Sequence, residues 1–164
     1  MENAGFVPLM VRDVSGAYLP ATIDQILGAA RQVIDTKFKR GAEMNPGSAI
    51  QYLKAKLAAL DSEVFVVLFL DCRNRLIQYE EMFHGTVDGA AVYPREVVRK
   101  ALEVNASKVI FGHNHPSGIP DPSSADRHIT ARLKGALDLI GVGVLDHIVI
   151  GGDNAVSLAE RGWL

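Results

Sequence analysis

An α/β fold around a mixed sheet is predicted by three observations. The hydrophobic period switches from helical to strand-like and back along the chain. The run VFVVLFL at 64–70 has the continuous apolar character of a strand buried on both faces. After it, amphipathic helical stripes alternate with short strand patterns, as in layered α/β domains. At 164 residues the chain suits one domain with an accessory segment. A domain of that size buries roughly 70% of its unfolded surface and needs neither disulfide nor metal to fold.

The elements follow in order. Residues 1–21 read as irregular, broken by Pro8, Gly16 and Pro20. Thr22 and Gln25 have capping-box spacing, and Ile23, Ile26, Leu27, Ala30, Val33, Ile34 and Phe38 form one helical stripe expected to pack on the main domain. Gly41 stops that helix. Ser48 is the expected cap of a second helix carrying Ile50, Leu53, Leu57 and Leu60. The strand at 64–70 turns through Asp71-Cys72-Arg73-Asn74 and returns over 75–83 as a hairpin. A loop at 85–89 and a short strand at 90–93 come next. Pro94 opens a helix with Val97, Val98, Ala101, Leu102 and Val104 inward. A strand over 108–112 leads into a helix starting at Ser123 or Ser124 and ending at Gly141. VGVLDHIVI at 142–150 is the last strand, followed by a Gly151-Gly152 turn.

Composition excludes several classes. Apolar residues make up 48% and charged residues 22%, and the net charge of −2 lacks the basic excess of a dedicated nucleic-acid binder. Cys72 is the only cysteine, which rules out an internal disulfide framework or a cysteine-rich zinc site. No apolar run approaches the roughly 18 residues of a membrane span. The N-terminus lacks the apolar core of a secretory signal, and a cytoplasmic location is expected. Arg73, Arg75, Arg95, Arg99 and Lys100 are the basic residues that could gather on one side.

The most informative stretch is FGHNHPSGIPDPSSADRH at 111–128. On a strand, residues i and i+2 share a face, so His113 and His115 can aim both imidazoles at one point. A catalytic zinc takes about three protein ligands and leaves one position open for water. Asp126, just inside the following helix, is the candidate third ligand. The alternative is a polar loop in which Ser123 and Asp126 simply cap a helix; the two are compatible. Other zinc chemistries fail on residue type. The chain has no Pro-Cys-x-x-Cys of nucleotide deaminases and no His-Glu-x-x-His, and it is too short for a (β/α)₈ barrel of about 250 residues.

His113-x-His115 followed by Ser123-x-x-Asp126 resembles the JAMM motif of MPN/JAB-domain metalloproteases. GHNHPSG, IPDPSSAD, LDHIVI at 145–150 and YPREVV at 93–98 resemble the RadC family, a bacterial branch of that superfamily. The resemblance covers roughly residues 44–164 and leaves 1–43 as an N-terminal irregular segment and helix. It implies a JAB/MPN-like, cytidine-deaminase-like α/β fold with a mixed sheet flanked by helices. It also implies Zn²⁺ on His113, His115 and Asp126, Ser123 as the active-site serine, and a catalytic glutamate upstream. Glu63, at the start of the first core strand, matches that glutamate; Glu80, Glu81 and Glu96 are reserve candidates.

The implied activity is a zinc-dependent metallopeptidase or isopeptidase with a protein or peptide substrate. A second reading is a DNA-associated or protein-interaction module that retains the zinc site. Longer RadC proteins resemble a helix-hairpin-helix segment joined to the JAB domain, and residues 1–43 show no Gly-rich hairpin of that kind. A metal-dependent nuclease ranks lower, since one His₂Asp site offers no second metal for phosphodiester chemistry. Among the remaining polar residues, Asn114 is expected to hydrogen-bond on the face opposite the histidines, and Asp146 to be structural or to support the site. His147 takes no assigned role. His128 reads as a helix-surface histidine, His84 as a loop residue, and Cys72 as an unreactive turn cysteine.

Overall fold

The computed structural model describes residues 8–85 and 91–164. Two short strands, β1 (Met10–Arg12) and β2 (Tyr18–Pro20), pair as a hairpin, followed by α1 (Ile23–Lys37) and α2 (Pro46–Leu57). The main sheet is built from β3 (Val64–Leu70), β4 (Leu76–His84), β5 (Lys108–Asn114), β6 (Gly143–Gly151) and β7 (Asn154–Ser157). Helix α3 (Pro94–Glu103) precedes β5, and α4 (Ser124–Asp138) connects β5 to β6. The strand order is β4-β3-β5-β6-β7. All pairings are antiparallel except β5 with β6, so the sheet is mixed as expected.

The sheet has two covered faces, which explains why β3 is buried at every position. Val64, Val66, Leu68 and Leu70 point toward α2, where Ala49, Tyr52, Leu53 and Leu57 complete one core. Phe65, Val67 and Phe69 point the other way, against Val97 and Ala101 of α3 and Leu133 and Leu137 of α4. The strand period of two assigns each residue to its core. On β5 the same alternation sends Val109 and Phe111 to the α3/α4 side and Ile110 to the α2 side. Gly112 lies against Leu53 of α2: a Cβ there would stand 2.8 Å from Leu53 Cδ2, so any side chain would force Leu53 to move.

Several sequence expectations are corrected in detail. Residues 1–21 are not wholly irregular. Asp13 accepts hydrogen bonds from the backbone of Ser15 and Ala17, and this local turn closes the β1–β2 hairpin. The Thr22–Gln25 capping box forms, but the α1 stripe does not lie along the domain. No residue within α1 is buried, Ile23 and Val33 are largely exposed, and only Ile34 and the following Phe38 reach the α2 core. The second helix is capped by Asn45 rather than Ser48, because Pro46 suits the first helical position; Ser48 completes the box from position N3. Residues 91–93 form no strand, and residue 90 and all but the first residue of the expected loop at 85–89 lie outside the described residues. The chain after β6 turns at Gly152 and Asp153 and returns as β7, a strand too short and too polar to stand out.

One buried polar residue ties the fold together. Asn114 is 2% exposed and faces away from the histidines, as expected, but into the protein. Its Oδ1 accepts from the Val64 backbone N–H at 2.8 Å, and its Nδ2 donates to the carbonyls of Ser62 and Leu60. It thereby clasps the chain between α2 and β3, where Glu63 sits. Removing the amide strands a buried N–H, which costs on the order of 1–3 kcal/mol. Asn114→Ala should lower the unfolding free energy by about 2 kcal/mol in a denaturant titration; a loss below about 0.5 kcal/mol would contradict the clasp.

Candidate metal centre

The site lies where β5 and β6 end side by side and α4 begins. His113 is on the α3/α4 face of β5, opposite Phe65 of β3. His115 follows beyond the strand end, its backbone N–H still paired to the Ile150 carbonyl at 2.7 Å. Asp126 reaches both from the first turn of α4. His113 Nε2 and His115 Nε2 are 3.0 Å apart. The Asp126 oxygens stand 3.3 Å from the first and 3.6 Å from the second. These three residues form a group whose ligand atoms all lie within 4.8 Å of one another, and they can hold a metal ion.

Hydrogen bonding on the far side of each ring decides which nitrogen faces the centre. His115 Nδ1 is 2.8 Å from the Ile119 carbonyl, which can only accept, so Nδ1 carries the hydrogen. In a neutral ring Nε2 is then a bare acceptor. His113 Nδ1 is 2.8 Å from His147 Nε2, and His147 Nδ1 is 2.6 Å from Thr130 Oγ1. The Thr130 hydroxyl donates to the Asp126 carbonyl. When both rings are neutral, two bare Nε2 atoms therefore face each other beside a carboxylate. Three electron-rich groups at such distances require a cation among them, either a proton or a metal ion. The donor set of two neutral imidazoles and one carboxylate suits a divalent ion of the zinc type.

Without a metal, the proton takes that place. The hydrogen bond to Asp126 raises the His115 pKa above its ordinary 6.5 against the effect of partial burial, with help from the Ile119 carbonyl and the charges of Asp126 and Glu63. Burial works against the Asp126 carboxylate, yet hydrogen bonds from His113, His115 and Ser123 hold it well below the ordinary carboxylate range. Burial, reinforced by the neighbouring His113, keeps His147 well below 6.5 and neutral.

Each sequence candidate has a definite place. Ser123 is the N-cap of α4: its hydroxyl donates to Asp126 Oδ2 at 2.7 Å and accepts from the Asp126 N–H at 3.1 Å. Ligand and cap are one arrangement, since the capping box aims the carboxylate. Glu63 and His115 line one cleft of about 550 Å³, together with Asp61, Ser62, Pro116 and Ser117. The reserve glutamates lie elsewhere. Glu80 bonds Gln78 and Lys100, Glu81 accepts from Tyr79, and Glu96 pairs with Arg95 and Arg99. His128 and His84 are exposed, and Cys72 is exposed in its turn. Of the five basic residues, Arg75, Arg95, Arg99 and Lys100 each have a carboxylate neighbour.

Asp146 and His147 do point to opposite sides. Asp146 accepts from Ser157 Oγ and the Ala159 N–H, which fastens β6 to the chain after β7. His147 is fully buried against His113. Its contact was invisible in the sequence, because nothing there says that β5 and β6 are neighbours. Thr130 was missed for the same reason; its only signal is its place four residues after Asp126.

A mixed sheet flanked by helices, with two histidines and an aspartate converging at the ends of its parallel strands, defines a JAB-type domain with a metal-capable site. A family model described as the RadC-like JAB domain matches residues 44–163. A UPF0758 protein from Vibrio cholerae serotype O1 is 52% identical over 141 residues, covering 85% of this chain and 89% of that protein. A UPF0758 protein from Marinobacter nauticus is 52% identical over 145 residues, covering 88% of this chain and 65% of that longer protein. One from Xylella fastidiosa is 60% identical over 127 residues, or 77% and 57% of the two chains. The chain belongs to the RadC family. Among the described residues, no helix is long and apolar enough to cross a membrane.

A proton and a metal ion would compete for one place, which would set the pH dependence. In the metal-free protein the raised His115 pKa stabilises the fold at low pH, and that contribution is lost as pH rises through the folded value above 6.5. The lowered Asp126 pKa acts oppositely, stabilising above the ordinary carboxylate range and losing that contribution in acid. Apparent zinc affinity should therefore rise with pH through and above 6.5 while metal-free stability declines over the same window. Chelator competition and thermal unfolding at matched pH check both; an affinity that is flat across the window would contradict the shared site.

Proposed function

We propose that this protein is a zinc-dependent metallopeptidase or isopeptidase that hydrolyses an amide bond in a protein or peptide substrate. The observation that carries the reading is the convergence of two imidazole nitrogens and a carboxylate, with one of these residues, His115, lining a cleft together with Glu63. His113, His115 and Asp126 would hold the ion, leaving one positive charge uncompensated by the protein. Zinc at such a site supplies Lewis acidity and lowers the pKa of water toward about 7.

The chain's own groups supply the remainder. The β3–β5 pairing runs up to Phe65 opposite His113, and Glu63, two residues before Phe65, lines the same cleft as His115, whose pKa its charge helps to raise. From that position Glu63 is suited to accept a proton from water as general base and return it to the leaving amine. Its backbone is restrained on both sides. The Glu63 carbonyl accepts from Gly85 N–H at 2.8 Å, and Asn114 holds Ser62 and Val64. Ser123 carries one hydroxyl hydrogen, which points at Asp126 here. For Ser123 to donate to a tetrahedral oxyanion, that hydroxyl must rotate away once the Asp126 oxygen is otherwise engaged. Its capping role stands in either state.

Zinc-loaded protein should hydrolyse members of a peptide and isopeptide library, read by mass spectrometry of the products. Glu63→Gln should lower turnover by about 10²- to 10⁴-fold, the usual worth of a positioned general base, with zinc still bound. Ser123→Ala should lower it by up to ~10²- to 10³-fold, as loss of an oxyanion donor does elsewhere. Unchanged turnover in Glu63→Gln would remove Glu63 from the mechanism. Metal loss in Ser123→Ala would mark Ser123 as a cap alone.

A further inference from the structure

His147 and Thr130 have no place in the chemistry just described, yet both are buried, at 0% and 1% exposure. Thr130 lies one helical turn after Asp126, and its hydroxyl donates back to the Asp126 carbonyl. A hydroxyl has one hydrogen to give. With that hydrogen committed, Thr130 Oγ1 can only accept from the ring nitrogen 2.6 Å away, so His147 carries its hydrogen on Nδ1. A neutral His147 then offers Nε2 as an acceptor, and His113 Nδ1, 2.8 Å distant, must be the donor. The result is a chain of hydrogen bonds with one direction. It begins at the backbone of one candidate ligand, Asp126, and ends at the ring of another, His113.

We propose that Thr130 and His147 are positioning residues of the metal site, forming a relay that locks His113 in the Nδ1–H tautomer with its Nε2 lone pair aimed at the ion. The inference rests on the reading of His113, His115 and Asp126 as a metal centre. Metal-bound histidines generally give their second nitrogen to a carboxylate, carbonyl or water. His115 follows that rule through Ile119, whereas His113 uses a second imidazole oriented by a hydroxyl. The rings are held as well as bonded: His147 stands edge-on to Phe65 and Phe111, with ring centroids 5.4 and 5.8 Å away. On its Nδ1 side His113 is oriented by the relay without a charged group, and the Asp126 carboxylate stands 3.3 Å from its Nε2. The relay also couples two ligands mechanically. A shift of the first turn of α4 moves Thr130, and through it the plane of the His113 ring.

The discriminating pair is Thr130→Val, which keeps the shape and removes the hydroxyl, and Thr130→Ser, which keeps the hydroxyl. Zinc affinity is read by chelator competition on folded protein. Thr130→Val should bind zinc about 10- to 100-fold more weakly, the usual effect of losing a supporting partner, while Thr130→Ser stays within a few-fold of the parent. Loss in both variants, or in neither, overturns the proposal. Imidazole ¹⁵N spectra of the metal-free parent at alkaline pH give an independent readout. His113 and His147 should both appear as Nδ1–H tautomers, and His147→Phe should release His113 to the Nε2–H form. A parent His113 already in the Nε2–H form overturns the relay whatever the zinc result. If the parent shows the relay tautomers but binds no zinc, the metal reading falls while the hydrogen-bond direction stands.

Discussion

The parallel pairing of β5 with β6 is the contact on which the rest of this structure depends. It places Phe111 beside His147 and His113 beside Val149, and it continues one residue further through His115 N–H and the Ile150 carbonyl. A parallel pair requires a crossover, and the crossover here is α4, whose first turn returns to the carboxyl ends of both strands. Ligands in open α/β sheets collect at those ends. In this chain the strand ends supply two imidazoles and the returning helix supplies a carboxylate. Gly151 shows how tightly this corner is built: a Cβ there would stand 2.5 Å from Pro120 N and 2.6 Å from the Ile119 carbonyl carbon. The bare glycine lets the 118–120 segment lie over β6, where the Ile119 carbonyl holds His115.

The electrostatic design follows from that packing. Of the three candidate ligands, His113 is fully enclosed while His115 and Asp126 keep some exposure. A deeply buried charge is costly unless compensated; His113, the deepest ring, has His147 on its Nδ1 side and the Asp126 carboxylate 3.3 Å from its Nε2. The carboxylate sits at the helix start, where the capping box and the helix dipole favour negative charge. His115 lines the cleft that also bears Glu63. Shape thus gives the group an enclosed side, where His113 meets His147, and an accessible side, where His115 shares a cleft with Glu63.

Much of this was legible in the sequence, and the remainder was hidden for physical reasons. The buried strand at 64–70, its hairpin return and the helices at 23 and 94 follow from local periodicity and capping. His-x-His with a helix-capping aspartate pointed to the convergence of His113, His115 and Asp126, because strand alternation and helix entry are local rules. Glu63 entered only through the family resemblance, since its approach to His115 depends on antiparallel pairing between residues far apart in the chain. His147 and Thr130 depend on a parallel pairing and a helix crossover, which no local pattern encodes. The cap of α2 was misplaced because Asn45 and Ser48 are both good capping residues and Pro46 decides between them. Helix α1 carries an amphipathic stripe like any core helix, yet the stripe lies mostly exposed; pattern alone reports that a face is apolar, not what it meets.

The central claim is that the two imidazole nitrogens and the carboxylate are arranged for a metal ion rather than for a shared proton. Elemental mass spectrometry of untagged protein after zinc reconstitution and desalting tests it most directly, beside the His113→Ala/His115→Ala double variant. About one zinc per chain is expected in the parent, as one set of three protein ligands implies, and none in the variant. A well-folded parent that retains no zinc, or a variant that retains as much as the parent, would contradict it.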